Sequence, residues 1–177
     1  MVEGYQTMLE EIDLQASEMA GGRQVTHVIV PVGCGSIAQA VVQHFKAVAR
    51  GGGDVRVIAV EPTTAACLKA SLEANDMVTV ETGDSIMCGM NCGMLSTMAW
   101  PILKKGVDVS VVVSEVESHK AVEELDRLGV QAGPCGAASL AALRRLCEEA
   151  RGECALDEDS VVVLCCTEGS RKFEVPI

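Results

Sequence analysis

A doubly wound α/β fold is predicted: a mostly parallel sheet with helices on both faces, forming a single domain over residues 1–177. Three observations carry the prediction. The runs THVIVPV, VRVIAVEP, VDVSVVVSE and DSVVVLCCTEG are apolar on both faces, as strands buried between two helical layers are. They are separated by helix-length stretches rather than by tight hairpin signals, so the connections are crossovers, right-handed by chain chirality. One Trp, one Tyr and two Phe leave a core of Val, Ala, Leu, Met and Cys, the composition of strands packed under Ala-rich helices.

Each element has its own warrant. Tyr5, Met8, Leu9, Ile12 and Met19 recur at near-helical spacing over residues 4–20, with Glu10, Glu11 and Asp13 off that stripe. The strand at 26–32 ends in a Gly-rich turn, and an Ala/Val-rich helix follows from Ser36 to Arg50. GGGD at 51–54 breaks that helix and opens the strand at 55–62. Residues 63–75 read as a helix capped by Thr63 or Thr64. A short strand is expected at 78–81. Helical segments flank the Gly-rich stretch 83–93, the clearest from Ser96 to Lys105. After the strand at 107–115 come helices over Ser118–Leu128 and Cys135–Arg151, and the strand within 159–169 closes the series. The acidic stretch 148–159 reads as a solvated helix end and loop.

Composition also excludes. A formal charge of −11 would be repelled by a nucleic-acid backbone or an anionic membrane, and four aromatic residues offer little for base stacking. No apolar run reaches the roughly 18 residues that a membrane span requires. The start MVEGYQTMLEEIDLQ has neither the basic nor the apolar part of a signal peptide, so a cytoplasmic location is expected. Nine cysteines are an odd number in a long apolar chain, and Cys88 and Cys92 form CxxxC without a second pair. Reduced, mostly buried thiols and no metal site are expected.

The strongest local feature is strand, then Val32-Gly33-Cys34-Gly35-Ser36-Ile37-Ala38, then helix. Glycines let backbone N–H groups approach an anion closely, and the helix N-terminus adds its dipole, so a phosphate is the natural ligand. The same letters satisfy G-x-G-x-x-A, with Glu61 at the end of the next strand where a ribose contact would sit. A nicotinamide dinucleotide and a smaller phosphorylated cofactor therefore both stay open.

PVGCGSIAQAV, VIAVEPTTAACLKAS and GDSIMCGMNCG…STMAWPILK together resemble the C-terminal half of the fold-type II pyridoxal phosphate enzymes, the tryptophan synthase β-like superfamily. Within it the series most resembles diaminopropionate ammonia-lyase: Glu3-Gly4-Tyr5 stands for a QGY-like helix start, Gly133-Pro134-Cys135-Gly136-Ala137-Ala138 for a SGA helix start, and Thr167-Glu168-Gly169 for a TEG strand end. The resemblance implies one lobe of such an enzyme. It implies that Gly33, Cys34, Gly35 and Ser36 cradle the phosphate of pyridoxal 5′-phosphate and that Thr167 sits beside the pyridine nitrogen. Asp84, Met87, Gly89 and Cys92 would line the active-site side, with a helix N-cap as the plain alternative for Asp84.

There are two departures. Gly133 stands where the family carries an acidic residue near the cofactor ring. The lysine that joins the cofactor covalently belongs to the family's N-terminal half, and Lys46, Lys69, Lys104, Lys105, Lys120 and Lys172 all sit in polar company unlike it. The resemblance thus implies β-elimination of a small amino acid to a 2-oxo acid and ammonia, in a homodimer, once an N-terminal half is supplied. The isolated chain is expected to be inactive. A non-catalytic binding or regulatory module is the alternative of a different class.

Overall fold

The computed structural model describes residues 2–47, 55–149 and 154–176. The GGGD break at 51–54, the expected helix ends at Arg50 and Arg151, and Glu153 of the acidic stretch lie outside the described residues. A 3-10 turn, Val2–Tyr5, leads into α1 (Gln6–Met19). The chain continues through β1 (His27–Pro31), α2 (Ser36–Phe45), β2 (Arg56–Pro62) and α3 (Cys67–Ala74). It then runs through α4 (Trp100–Gly106), β3 (Val109–Val113), α5 (Glu115–Arg127), α6 (Pro134–Glu149) and β4 (Val162–Leu164).

The four strands form one parallel sheet in the order β3-β2-β1-β4. Ile29 lies between Ile58 and Leu164, and Val60 lies beside Val111. Strand alternation then sorts the core into two layers. Val28, Val30, Val57 and Ala59 face Leu9 of α1, Ala38, Val41 and Phe45 of α2, Leu68 of α3 and Leu103 of α4. Ile29, Ile58, Val60, Val111 and Val113 face Ala121 of α5 and Ala137, Ala138, Ala141 and Leu146 of α6. Helices cover both faces, so the doubly wound prediction holds.

Several boundaries differ from the sequence reading. No strand forms at 78–81; Val80 donates one backbone hydrogen bond to Gly93 (2.8 Å) and the segment joins no ladder. The helix expected from residue 63 starts at Cys67, because Pro62–Ala65 is a turn closed by the Ala65 N–H on the Pro62 carbonyl (3.0 Å). Its N-terminus is capped by neither threonine. The Glu61 carboxylate accepts the N–H groups of Leu68 (2.7 Å) and Lys69 (2.8 Å) instead. Helix α4 starts at Trp100 rather than Ser96, with Pro101 in its first turn, where a missing N–H costs nothing. Helix α5 starts earlier, at Glu115, set by a capping box in which Ser114 and Glu117 satisfy each other's backbone N–H. The last strand contracts to three residues.

The thiols correct another expectation. Cys67, Cys135, Cys154 and Cys165 are buried, but Cys34, Cys88 and Cys166 are exposed, so most of the nine are not core residues. Among the described residues no group of His, Cys, Asp and Glu could hold a metal ion, and no helix is long and apolar enough to cross a membrane.

Candidate functional site

The strand order sets where a ligand can go. From β1 the chain builds outward through β2 to β3, and only its last strand, β4, lands on the other side of β1. The loop after β1 and the tail after β4 therefore lie side by side at the carboxyl edge of the sheet, where open α/β sheets bind ligands. A cleft of about 270 Å³ lies there, lined by Tyr5, Pro31, Gly33 to Ile37, Gly89, Met90, Cys92, Cys135, Thr167 and Glu168. A larger depression of about 810 Å³, lined by Asp13, Arg23, Phe45 and Val55 among others, lies by the opposite strand ends and has none of the loop residues.

The loop after β1 is crowded at both of its glycines. A Cβ on Gly33 would lie 3.0 Å from the Gly89 carbonyl oxygen and 3.3 Å from the Cys92 sulfur. Gly35, the N-cap of α2, has φ of +96°, and a Cβ there would lie 2.8 Å from Leu103 Cδ1. The Cys34 carbonyl accepts the Ser96 N–H (2.9 Å), which fixes the loop from behind. Gly35 supplies a left-handed conformation that an L side chain adopts only at a cost.

The treatment of helix N-termini is asymmetric. Side-chain carboxylates meet first-turn N–H groups of α3 and α6 and the N-cap N–H of α5. Glu61 serves α3, Glu117 pairs with the Ser114 cap of α5, and Glu168 Oε2 accepts the Cys135 N–H of α6 (2.7 Å). The N-termini of α1, α2 and α4 have no side-chain cap, and that of α2, with Gly35, Ser36 and Ile37, opens onto the cleft. Its first N–H groups have no intrahelical partner and its dipole end is positive, which suits an anion.

Glu61 is fully buried and both of its oxygens are taken by α3, so it is not available to a ribose. Burial pushes its carboxyl up from 4.5 to about 7, against the pull of the Leu68 and Lys69 N–H groups. The adjacent Cys67 thiol is pushed up to about 12, first by burial and then by Glu61.

Seven of the nine residues singled out from the sequence come together on the cleft: Gly33, Cys34, Gly35, Ser36, Gly89, Cys92 and Thr167. Two do not. Met87 is completely buried in the core layer under α5 and α6, and Asp84 is exposed on a loop where no helix starts, so it neither lines the cleft nor caps a helix. That loop is anchored through Glu115, which accepts the Ser85 hydroxyl (2.8 Å) and the Ile86 N–H (2.7 Å).

Tyr5, Cys135 and Glu168 reach the cleft without having been singled out, although all three fall in the quoted motif segments. Glu168 also explains Gly133. A Cβ at 133 would stand 2.5 Å from Glu168 Oε2, so no acidic side chain fits there, and the carboxylate on this wall comes from the strand end instead. Arg171 holds its other oxygen through Nε (2.8 Å).

None of the six lysines lines the cleft. Lys46 pairs with Asp108 and Lys69 with Glu73, while Lys104 donates to the Asn75 carbonyl. Lys105, Lys120 and Lys172 are exposed.

Comparison with known proteins places the chain. It is 30% identical over 146 residues to biosynthetic L-threonine dehydratase of Corynebacterium glutamicum, covering 81% of this chain and 32% of that protein. It is 28% identical over 190 residues to diaminopropionate ammonia-lyase of Salmonella typhimurium, covering 99% and 46%. The structure superposes on diaminopropionate ammonia lyase of Escherichia coli in complex with D-serine with a TM-score of 0.82 and 26% identity, over 95% of this chain and 44% of that one. On the T.th. threonine deaminase the TM-score is 0.80 with 28% identity, over 98% and 55%. The chain thus spans about half or less of the length of these proteins. Residues 1–167 match the family model described as pyridoxal-phosphate dependent enzyme, and the chain belongs to that family, whose cofactor is pyridoxal 5′-phosphate.

Proposed function

We propose that this chain is the phosphate-binding lobe of a pyridoxal-phosphate-dependent lyase acting on a small amino acid, with β-elimination to a 2-oxo acid and ammonia as its reaction. The observation that carries the reading is the uncapped N-terminus of α2 behind a closely packed glycine loop, at the carboxyl edge of the sheet. The donor set fits a phosphate monoester: backbone N–H groups of Gly33 to Ser36, the Ser36 hydroxyl and a helix dipole. Thr167 offers a neutral hydroxyl on the wall after β4. When bound, the cofactor acts as sink for the electron pair left as the substrate α-proton departs.

The chain's own residues position and shield. The loop would orient the phosphate, Thr167 would stand beside the ring, and Glu168, fixed by the Cys135 N–H and by Arg171, holds a carboxylate at the wall. Since no lysine reaches the cleft, the isolated chain binds the cofactor without covalent attachment and does not turn over substrate. The same reading makes the complete enzyme a cytoplasmic homodimer. One observation favours a second reading, a binding module without catalysis: every lysine present points elsewhere.

Incubation with pyridoxal 5′-phosphate, borohydride reduction and peptide mass spectrometry tests this. Saturable binding with no stoichiometric lysine adduct is expected. A complete adduct on one lysine would overturn the assignment.

A further inference from the structure

Two thiols at the mouth of the cleft have no part in that reading. Cys34 is exposed, and it precedes Gly35, the N-cap of the ten-residue helix α2. Cys92 comes from the facing segment and is half-buried on the same cleft. Its sulfur stands 3.3 Å from the place a Cβ on Gly33 would occupy, and it faces the backbone N–H of Cys34. Cys92 thus packs against the residue that precedes Cys34, and the two thiols are close enough for the Cys34 charge to act on Cys92, the neighbourhood a disulfide needs.

We propose that Cys34 and Cys92 form a thiol modification site, oxidised by a small disulfide of the glutathione type, and that the resulting bridge closes the phosphate loop. The closure rests on the reading of that loop as a phosphate cradle. Cys34, exposed on the cleft, is the attacking group. It displaces one thiol from the small disulfide and forms a mixed disulfide. The Cys92 thiolate then attacks the Cys34 sulfur and expels the second thiol. In sum two protein thiols become one disulfide, one small disulfide becomes two thiols, and the two protons pass to the departing thiolates. Burial raises the Cys92 thiol, which leaves the first attack to exposed Cys34; Cys92 resolves the mixed disulfide because it lies on the same cleft. Cys135 and Cys67, pushed up to about 11 and about 12, are poorer nucleophiles. Exposed Cys88 and Cys166 are the competitors.

The 177-residue chain, fully reduced, is treated with oxidised glutathione, alkylated, digested and mapped by mass spectrometry. A Cys34–Cys92 disulfide is expected as the main product, reversed by dithiothreitol. Cys92→Ser is expected to stop at a stable glutathione adduct on Cys34, and Cys34→Ser to form no bridge to Cys92. The oxidised chain is expected to bind pyridoxal 5′-phosphate at least tenfold more weakly than the reduced chain. A main product at Cys88 or Cys166, or no glutathione adduct in Cys92→Ser, overturns the thiol pair. Equal cofactor binding by both forms overturns the closure. If the reduced chain does not bind the cofactor, the phosphate reading and the closure fail together, while the mapping still decides the pair.

Discussion

Replacing Glu61 with Gln changes how stability depends on pH, and the sign follows from burial. The parent carboxyl titrates near 4.5 when exposed in the unfolded chain and at about 7 in the fold. Between those values the folded state holds more protons, so stability falls as pH rises. The contribution of a raised group is complete below the unfolded value and is lost as pH passes through the folded one. Between roughly pH 5 and roughly pH 8 the loss is about 2.5 kcal/mol, at about 1.4 kcal/mol for each unit of displacement. Gln resembles the neutral acid: it keeps one oxygen for Leu68 or Lys69 and does not titrate. Cys67 stays protonated throughout, since its thiol lies at about 12. Urea unfolding of both proteins at the two pH values isolates Glu61, because every other titration cancels in the difference. Parent minus variant is expected to shift by about 2.5 kcal/mol in favour of the variant at the higher pH. A shift under about 0.5 kcal/mol, or one of opposite sign, would refute the reasoning.

Three further outcomes are expected. Gly35→Ala forces an L residue to a φ of +96° against Leu103, and urea unfolding should show a loss of about 1–3 kcal/mol together with weaker phosphate binding. Ser114→Ala removes half of the α5 capping box and should cost about 1 kcal/mol, read as a lowered unfolding midpoint with unchanged m-value. Gly133→Asp places a side chain where Glu168 Oε2 stands; it should disturb the Cys135 and Arg171 contacts, lower the melting temperature and weaken cofactor binding, whereas Ser170→Ala on the exposed tail should leave the melting temperature unchanged.

The parts legible in the sequence are those whose signal is local. Strands β1 and β2 are buried on both faces, and that double burial leaves an uninterrupted β-branched run. The glycine loop is equally plain as a pattern, and the positive φ of Gly35 is a demand of its own turn, although the atoms that crowd Gly33 and Gly35 come from Gly89, Cys92 and Leu103 far along the chain. Val78 to Glu81 carries the same β-branched character without a neighbouring strand to pair with, so propensity alone misleads. The cap of α3 was hidden for a different reason. Glu61 reaches it across a turn, where the local pattern offered Thr63 and Thr64. Met87 and Asp84 were read from a motif whose letters do not say which side chain turns into the core. The exchange between Gly133 and Glu168 joins segments about a helix and a strand apart, since Cys135 and Glu168 are separated by 33 positions, and no window of sequence shows it.

An amide NMR titration tests the central claim most directly: that the uncapped start of α2 and its glycine loop hold the cofactor phosphate. The 15N-labelled chain is titrated in parallel with pyridoxal 5′-phosphate and with pyridoxal, which lacks the phosphate. The account predicts saturable shifts at the Gly33, Cys34, Gly35 and Ser36 amides with the first ligand and none of comparable size with the second. Equal responses to both ligands would contradict it. So would shifts centred on the depression near Asp13, Arg23 and Val55 with the loop amides unmoved.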